Sequence, residues 1–419
     1  MTAASTPVHR SPGFDNKPDA DWVAAQPTIQ WIEQGIARSA LWRSERGAEA
    51  PTKVVLVDDT TNADSAYQFA CTGTAMLWRG DFHNARQLVQ ALARRIDQPP
   101  RRKQRAARQA STKADSVTTS FHQHRQAQAQ RARILGMVLV QIESDYGIAL
   151  RRAPDVRLAC TQAWGAADPL GGVSVVSLRE LMGVTSASEW RSKGIEVPAL
   201  GPAPGNRIHP HYGVFSPARG EYIDLVAGAT MPVTSQHPYV AFDIGTGSGV
   251  LAAVLARRGL KHIVATDVEP RALACAQDNL QRLGLQERVE LRQTDLFPDG
   301  LASLIVCNPP WLPARPTAPI EQAVYDEGGR MLAGLLTGLA PHLAPGGEAW
   351  LILSNLAEHL GLRRRDDLLT AIEQAGLQVA GRVDTLPHHP KAKDARDRLH
   401  QARAAEVTSL WRLVSTTHN

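Results

Sequence analysis

Asp243-Ile244-Gly245-Thr246-Gly247-Ser248-Gly249 follows an apolar run at residues 239–243 and precedes an apolar helical pattern at 250–258. A strand, a glycine turn and a helix in that order form the opening unit of a doubly wound parallel sheet. Residues without Cβ let the backbone turn sharply and approach a ligand closely. The glycine spacing is GxGxG, not the GxGxxG of dinucleotide binders, and the acidic Asp243 stands before the first glycine.

Working outward, strands and helices alternate. Strands are expected at 262–267, 289–295, 301–307, 348–353, 377–384 and 407–414, and helices at 270–283, 334–343 and 364–375. Asp267 ends the second strand, where a carboxylate accepts from ribose hydroxyls. NAD and S-adenosylmethionine both carry ribose, so Asp267 alone leaves both open. Asp295 and Leu296 follow the third strand, placed to meet an adenine amino group. Asp267 and Asp295 would equally serve as turn-capping residues.

The fourth strand runs into Asn308-Pro309-Pro310-Trp311. The prolines have fixed φ and lack N–H donors, so their carbonyls stay free to accept. The Asn308 carboxamide oxygen is a second acceptor. Two convergent acceptors can hold both hydrogens of an NH2 group and favour positive charge growing on its nitrogen. Trp311 offers a flat face to a planar substrate. The alternative, a proline turn with Trp311 in the core, fits poorly at the carboxyl end of a strand in an open sheet, where ligands bind.

These motifs resemble class I S-adenosylmethionine-dependent N-methyltransferases of the (N/D)PP(Y/F/W) branch. Thr294-Asp295-Leu296-Phe297-Pro298, followed by Ile305-Val306-Cys307-Asn308-Pro309-Pro310-Trp311, is similar to HemK-type glutamine methyltransferases and to small-domain rRNA base methyltransferases. Residues 214–221 resemble the segment that closes over the cofactor in that branch. The resemblance implies a seven-stranded Rossmann-like domain over 208–419. In it Asp243, Gly245, Thr246, Gly247 and Gly249 hold the methionine part of S-adenosylmethionine, Asp267 the ribose, and Asp295 with Leu296 the adenine. Asn308 and Pro309 would hold the substrate nitrogen, with Pro310 and Trp311 shaping the site. The chain departs from the HemK group in carrying Trp311 in place of Tyr and in its N-terminal region.

That region is expected to comprise a disordered tail at 1–25 and a smaller α/β or mostly helical domain at 26–200 serving substrate recognition. A helix is expected over 22–42, a strand at 53–57, and helical periodicity from 63 to 96 broken near Gly80. If the region is a degenerate copy of the catalytic fold, residues 54–59 are its relict first strand. Residues 98–133 interrupt it with a basic stretch opening Pro99-Pro100-Arg101-Arg102-Lys103-Gln104-Arg105, in which Asp115 is the only acid. Such a stretch serves either as a solvated arm or as a phosphate contact.

The chain has 419 residues, 43% of them hydrophobic and 21% charged, enough for two domains with real cores. The net charge of +5 makes it only mildly basic. Four cysteines with no CxxC pair and no zinc spacing suggest reduced thiols in a cytoplasmic protein with no metal. No apolar run is long enough to span a membrane.

The first expectation for the acceptor is a nucleic-acid base in structured, ribosomal RNA, drawn from the basic stretch and the extra domain. The alternative is the glutamine of a translation factor or ribosomal protein. A cofactor-binding module without catalysis is the reading of another class, disfavoured by the intact motifs. An NAD-dependent dehydrogenase explains neither GxGxG nor NPPW. His209, His211, Tyr212, Asn355 and Glu358 are secondary candidates more readily read as structural, and Cys307, which faces the strand interior as readily as the site, is given no chemical role.

Overall fold

The computed structural model describes residues 27–97, 117–233, 239–316, 319–387 and 399–416. The expected tail and the most basic residues, Arg101 to Arg105, lie outside them.

The N-terminal sheet has six strands: β1 (Thr28–Glu33), β2 (Ile36–Arg43), β3 (Lys53–Val57), β4 (Thr74–Trp78), β5 (Val138–Ile142) and β6 (Ser174–Ser177), ordered β1-β2-β6-β5-β4-β3. The helix expected over 22–42 is instead the β1–β2 hairpin within the described part. Gln34 and Gly35 turn it with φ of 52° and 77°, as two-residue hairpins require. Ile29, Trp31, Ala40 and Trp42 alternate onto one face, buried with Ala75, Leu77, Leu139 and Val175. The helical stretch expected from 63 to 96 contains the buried strand β4 between two helices, Ala63–Cys71 and Phe82–Asp97.

The second face of the sheet packs on helices through Met76, Trp78, Val140, Leu88 and Leu181. The region is thus a second α/β unit. Its strands β3 to β6 lie side by side in chain order, so its winding differs from that of the C-terminal sheet described next.

A short ribbon of β7 (Ile195–Glu196) and β8 (Arg207–Ile208) leads to the C-terminal sheet. This sheet comprises β9 (Val240–Ile244), β10 (His262–Asp267), β11 (Val289–Gln293), β12 (Ala302–Cys307), β13 (Leu343–Ser354), β14 (Leu377–Thr385) and β15 (Thr408–Ser415), ordered β11-β10-β9-β12-β13-β15-β14. All pairs are parallel except those that β15 makes with β13 and β14. The seven-stranded Rossmann-like expectation is met.

Every residue of β12 is buried, as expected of a parallel strand covered on both faces. Alternate residues go to opposite sides. Leu304 and Val306 meet the helix Val250–Arg257, while Ile305 and Cys307 meet the helix Arg330–His342. Among the described residues, no helix is long and apolar enough to cross a membrane.

Candidate active site

The strand order reverses at β9, whose neighbours are β10 and β12. Open α/β sheets bind ligands outside the carboxyl ends of strands at such a reversal. Register brings the motifs together there, because Ile244 pairs with both Thr266 and Cys307. The glycine turn, Asp267 and Asn308 therefore leave the sheet at adjacent strand ends.

Asp243 is buried. Its Oδ2 accepts from Thr246 Oγ1 at 2.7 Å and from the Ala252 N–H at 2.9 Å, tying β9 to the turn and the following helix. Its Oδ1 is buried with no hydrogen-bond partner. Burial pushes the carboxyl up to about 6, against the two hydrogen bonds that lower it and with the nearby Asp267 charge that raises it.

Asp267 Oδ2 accepts from the Gly247 N–H and Oδ1 from the Glu269 N–H, each at 3.0 Å. It thus braces the glycine turn. Burial raises its carboxyl, offset by those backbone donors.

Gly247 has φ +56°, and a Cβ there would meet nothing within 4 Å. The space above it is open, as a cradle for a ligand must be. The orphaned Asp243 oxygen and this open cradle fit a cationic cofactor lying over the turn.

Asp295 is exposed. Leu296 takes φ +63°, rare for a non-glycine residue. Thr266 Oγ1 donates to its carbonyl at 2.6 Å and holds it there.

Asn308 Oδ1 accepts from Trp311 Nε1 at 2.9 Å. The indole N–H thereby fixes which way the carboxamide points, and the oxygen keeps a second lone pair for a substrate N–H. Trp311 is partly buried against both faces of the core. Trp311→Phe keeps an aromatic face and loses this donor. It is expected to lower kcat by about tenfold, the cost of about one hydrogen bond at 1.4 kcal/mol, with cofactor affinity unchanged by calorimetry.

Several contributors carried no motif. Asp326 accepts from the Met331 and Leu332 N–H groups and caps the helix that follows the site. Its own N–H donates to the Leu312 carbonyl at 2.8 Å, folding the chain after Trp311 back on itself. Asn279, fully buried, donates to the Ser248 carbonyl at 3.0 Å and accepts from the His209 N–H at 2.7 Å. A lone Asn in a helical pattern gives no sign of such a role.

The secondary candidates are held structurally. His209 Nδ1 meets the Arg191 carbonyl at 2.6 Å, and His211 Nε2 meets Asp278 at 2.9 Å. Asn355 Oδ1 accepts from the Val407 N–H, and Glu358 pairs with Arg365. Cys307 is buried, which drives its thiol well above the ordinary range. Among the described residues no group of three or more His, Cys, Asp or Glu could hold a metal ion.

The Asp243 carboxyl also sets a pH dependence. A raised folded value means its stabilising contribution is complete below the unfolded value near 3.8 and is lost as pH rises through about 6. A cationic ligand favours the ionised form. About one tenth is ionised at pH 5 and about nine tenths at pH 7, so ligand affinity should rise roughly tenfold across that interval. Calorimetric titration of S-adenosylmethionine over this range checks it, and Asp243→Asn should flatten the slope.

Residues 205–365 match the family model described as methyltransferase small domain. A release factor glutamine methyltransferase of Cereibacter sphaeroides is 35% identical over 176 residues, covering 38% of this chain and 58% of that protein. A ribosomal protein L11 methyltransferase of Serratia proteamaculans is 35% identical over 118 residues, covering 28% of this chain and 40% of that protein. The chain thus spans about half the length of the curated relatives it matches. Among solved structures, a ribosomal protein L11 methylase of Lactobacillus delbrueckii subsp. bulgaricus aligns with TM-score 0.31 and 19% identity, over 46% of this chain and 76% of that one.

Proposed function

Residues 205–365 belong to the methyltransferase small-domain family, and from that premise we propose that the chain transfers a methyl group from S-adenosylmethionine to the side-chain amide nitrogen of a glutamine in a translation-related protein. The observation that carries this is the Asn308 carboxamide, fixed by Trp311 at the end of β12 beside the glycine turn.

Asp243, Gly245, Thr246, Gly247 and Gly249 would hold the methionine part of the cofactor, Asp267 the ribose, and Asp295 with the Leu296 backbone the adenine. When bound, the cofactor supplies an electrophilic methyl on a sulfonium. The chain's own part is to position and polarise. Asn308 Oδ1 and the Pro309 carbonyl would accept the two amide hydrogens, turning the nitrogen toward the methyl and stabilising the charge that grows on it. Pro310 keeps the turn rigid, and Trp311 would pack on the amide plane.

The sequence placed an RNA base first. Two observations support a protein acceptor over it. The relatives reported above are, by name, protein methyltransferases. The described end of the basic stretch, in the helix Val117–Leu135, engages carboxylates of this chain: Arg125 meets Glu321 at 3.4 Å and Arg131 meets Asp97 at 2.9 Å. This helix docks on the catalytic domain, with Phe121 buried against Leu312, Leu356 and Leu360. The N-terminal domain would then present the acceptor to the site.

The test is transfer of labelled methyl from S-adenosylmethionine into a lysate lacking this protein, with wild type and Asn308→Ala compared. Label that resists nuclease, yields to protease and vanishes with Asn308→Ala supports the proposal. Label in RNA would return the base reading. Cofactor binding with no label in any fraction would leave a binding module.

A further inference from the structure

The helix Val117–Leu135 belongs in sequence to the N-terminal domain, and Thr118, Phe121 and Arg125 stand along it at intervals of three and four. That spacing puts them on one face of the helix, and the face lies on the catalytic domain. Thr118 Oγ1 donates to the Leu360 carbonyl at 3.0 Å. Phe121 is buried with Leu312, Leu356, Leu360, Leu399 and Ala402. Gly361 has φ +67°, and a Cβ there would stand 2.5 Å from Thr118 Oγ1, so the helix comes closer than a larger residue would permit.

The third residue of the face grips something else. The Arg125 guanidinium reaches both limbs of the loop that leaves Trp311. On the outgoing limb, residues 312–316, Nη2 donates to the Arg315 carbonyl. On the returning limb, residues 321–326, Nη1 meets Glu321 Oε2 at 3.4 Å, and the guanidinium carbon stands 3.9 Å from the centre of the Tyr325 ring. A lone ion pair of that length contributes little at a surface. A planar fork that donates in two directions while lying on a ring fixes a geometry that a point charge does not.

The limbs are also tied to each other beside the site. The Leu312 N–H donates to the Val324 carbonyl at 3.1 Å, and the Leu312 carbonyl accepts from the Asp326 N–H at 2.8 Å. Leu312 follows Trp311 directly, and the Trp311 indole N–H orients the Asn308 carboxamide. A shift of Leu312 therefore carries Trp311 with it and turns the carboxamide away. A helix that only joined the domains would need Thr118 and Phe121 on the 356–362 segment. It would not need a guanidinium spanning the two limbs.

We propose that Arg125 is a positioning residue: from the N-terminal domain it clasps the loop after Trp311, and so holds Asn308 in the orientation that receives the acceptor nitrogen. This rests on the role given above to Asn308.

The experiment pairs hydrogen exchange of the full chain with transfer of labelled methyl from S-adenosylmethionine into the lysate lacking this protein. In Arg125→Ala the amides of residues 312–316 and 321–326 should exchange at least about tenfold faster, while those of β12 and β13 keep their wild-type rates. The labelling rate should fall about tenfold, with cofactor affinity within about threefold by calorimetry. Arg125→Lys keeps the charge and loses the fork, and should recover part of both. In a Trp311→Phe background, where the link from the loop to Asn308 is already cut, Arg125→Ala should cost little more. Arg131→Ala breaks the pair with Asp97 on the same helix and should change neither reading. Unchanged loop exchange in Arg125→Ala would overturn the proposal, and so would a loosened loop with a wild-type labelling rate. Exchange that rises throughout the catalytic domain would overturn it too, since it marks lost stability rather than a lost clasp. If Arg125→Ala loosens the loop alone but Asn308→Ala labels as wild type does, the clasp stands and the role given to Asn308 falls.

Discussion

Asn308→Ala is expected to lower kcat for methyl transfer by about a hundred- to a thousandfold, the usual cost of losing one preorganised polar contact to the transition state. Cofactor affinity should stay within about threefold, because Asp243, Asp267 and the glycine turn are untouched. An amide nitrogen is a poor nucleophile, since its lone pair is shared with the carbonyl. As it attacks, positive charge grows on the nitrogen and its hydrogens become stronger donors. An acceptor aimed at them gains most at that moment and little in the ground state, so its removal appears in kcat rather than KM.

The variant also strands the Trp311 Nε1–H, which now donates to Asn308 Oδ1 at 2.9 Å. Asn308→Asp separates the two effects. Aspartate keeps an acceptor for both the indole and the substrate, and its charge favours the growing cation. It should retain far more activity than alanine. A kcat for Asn308→Ala within about threefold of wild type would mean that the carboxamide does not hold the substrate nitrogen.

The catalytic half was legible because each of its signals is local. Apolar runs of five or six residues alternate with helical patterns, and the residues proposed for the site lie adjacent in sequence to the strand ends. Asn308 and the glycines are found by reading forward from β12 and β9. The N-terminal half hid β1, β2 and β4 for physical reasons. Ile29, Trp31, Ala40 and Trp42 keep a period of two on either side of a Gln34-Gly35 turn, but Gln is an unusual residue at φ 52° and gives little sign of a hairpin. β4 is buried at four of its five residues, and so short an apolar run has no period that separates strand from helix.

Side-chain anchors between distant segments were also out of reach. Thr266 holds Leu296, and Asn279 joins Ser248 to His209 across dozens of residues of sequence. Spacing along a chain carries no sign of such encounters. The winding of the N-terminal sheet, with β3 to β6 in chain order, likewise depends on pairings that no local pattern announces.

The glycine turn gives the second large effect, and two of its residues should fail in different ways. At Gly249, φ is +79° and a Cβ would stand 3.0 Å from Ala276 Cβ and 3.1 Å from Ala276 Cα. Ala276 is fully buried in the helix Pro270–Arg282, so the helix must move. Gly249→Ala therefore combines a left-handed backbone penalty of about 1–2 kcal/mol with overpacking of about 1–3 kcal/mol. A fall in Tm of about 10 °C is expected for a domain of this size, with transfer lost because the turn is displaced.

At Gly247 the backbone penalty is similar, but nothing lies within 4 Å of the added carbon. Its methyl would stand in the space assigned to the cofactor. Gly247→Ala should lower Tm by only a few degrees. Affinity for S-adenosylmethionine should fall by about a hundredfold, the cost of about 2.7 kcal/mol of steric conflict. Thermal melts with and without cofactor read both quantities. The wild type should be raised by the ligand according to its affinity, and Gly247→Ala should melt near the unliganded wild type whether ligand is present or not. If instead Gly247→Ala binds as wild type does, the cofactor does not lie over this turn, and the roles proposed for Asp243 and Asp267 fail with it.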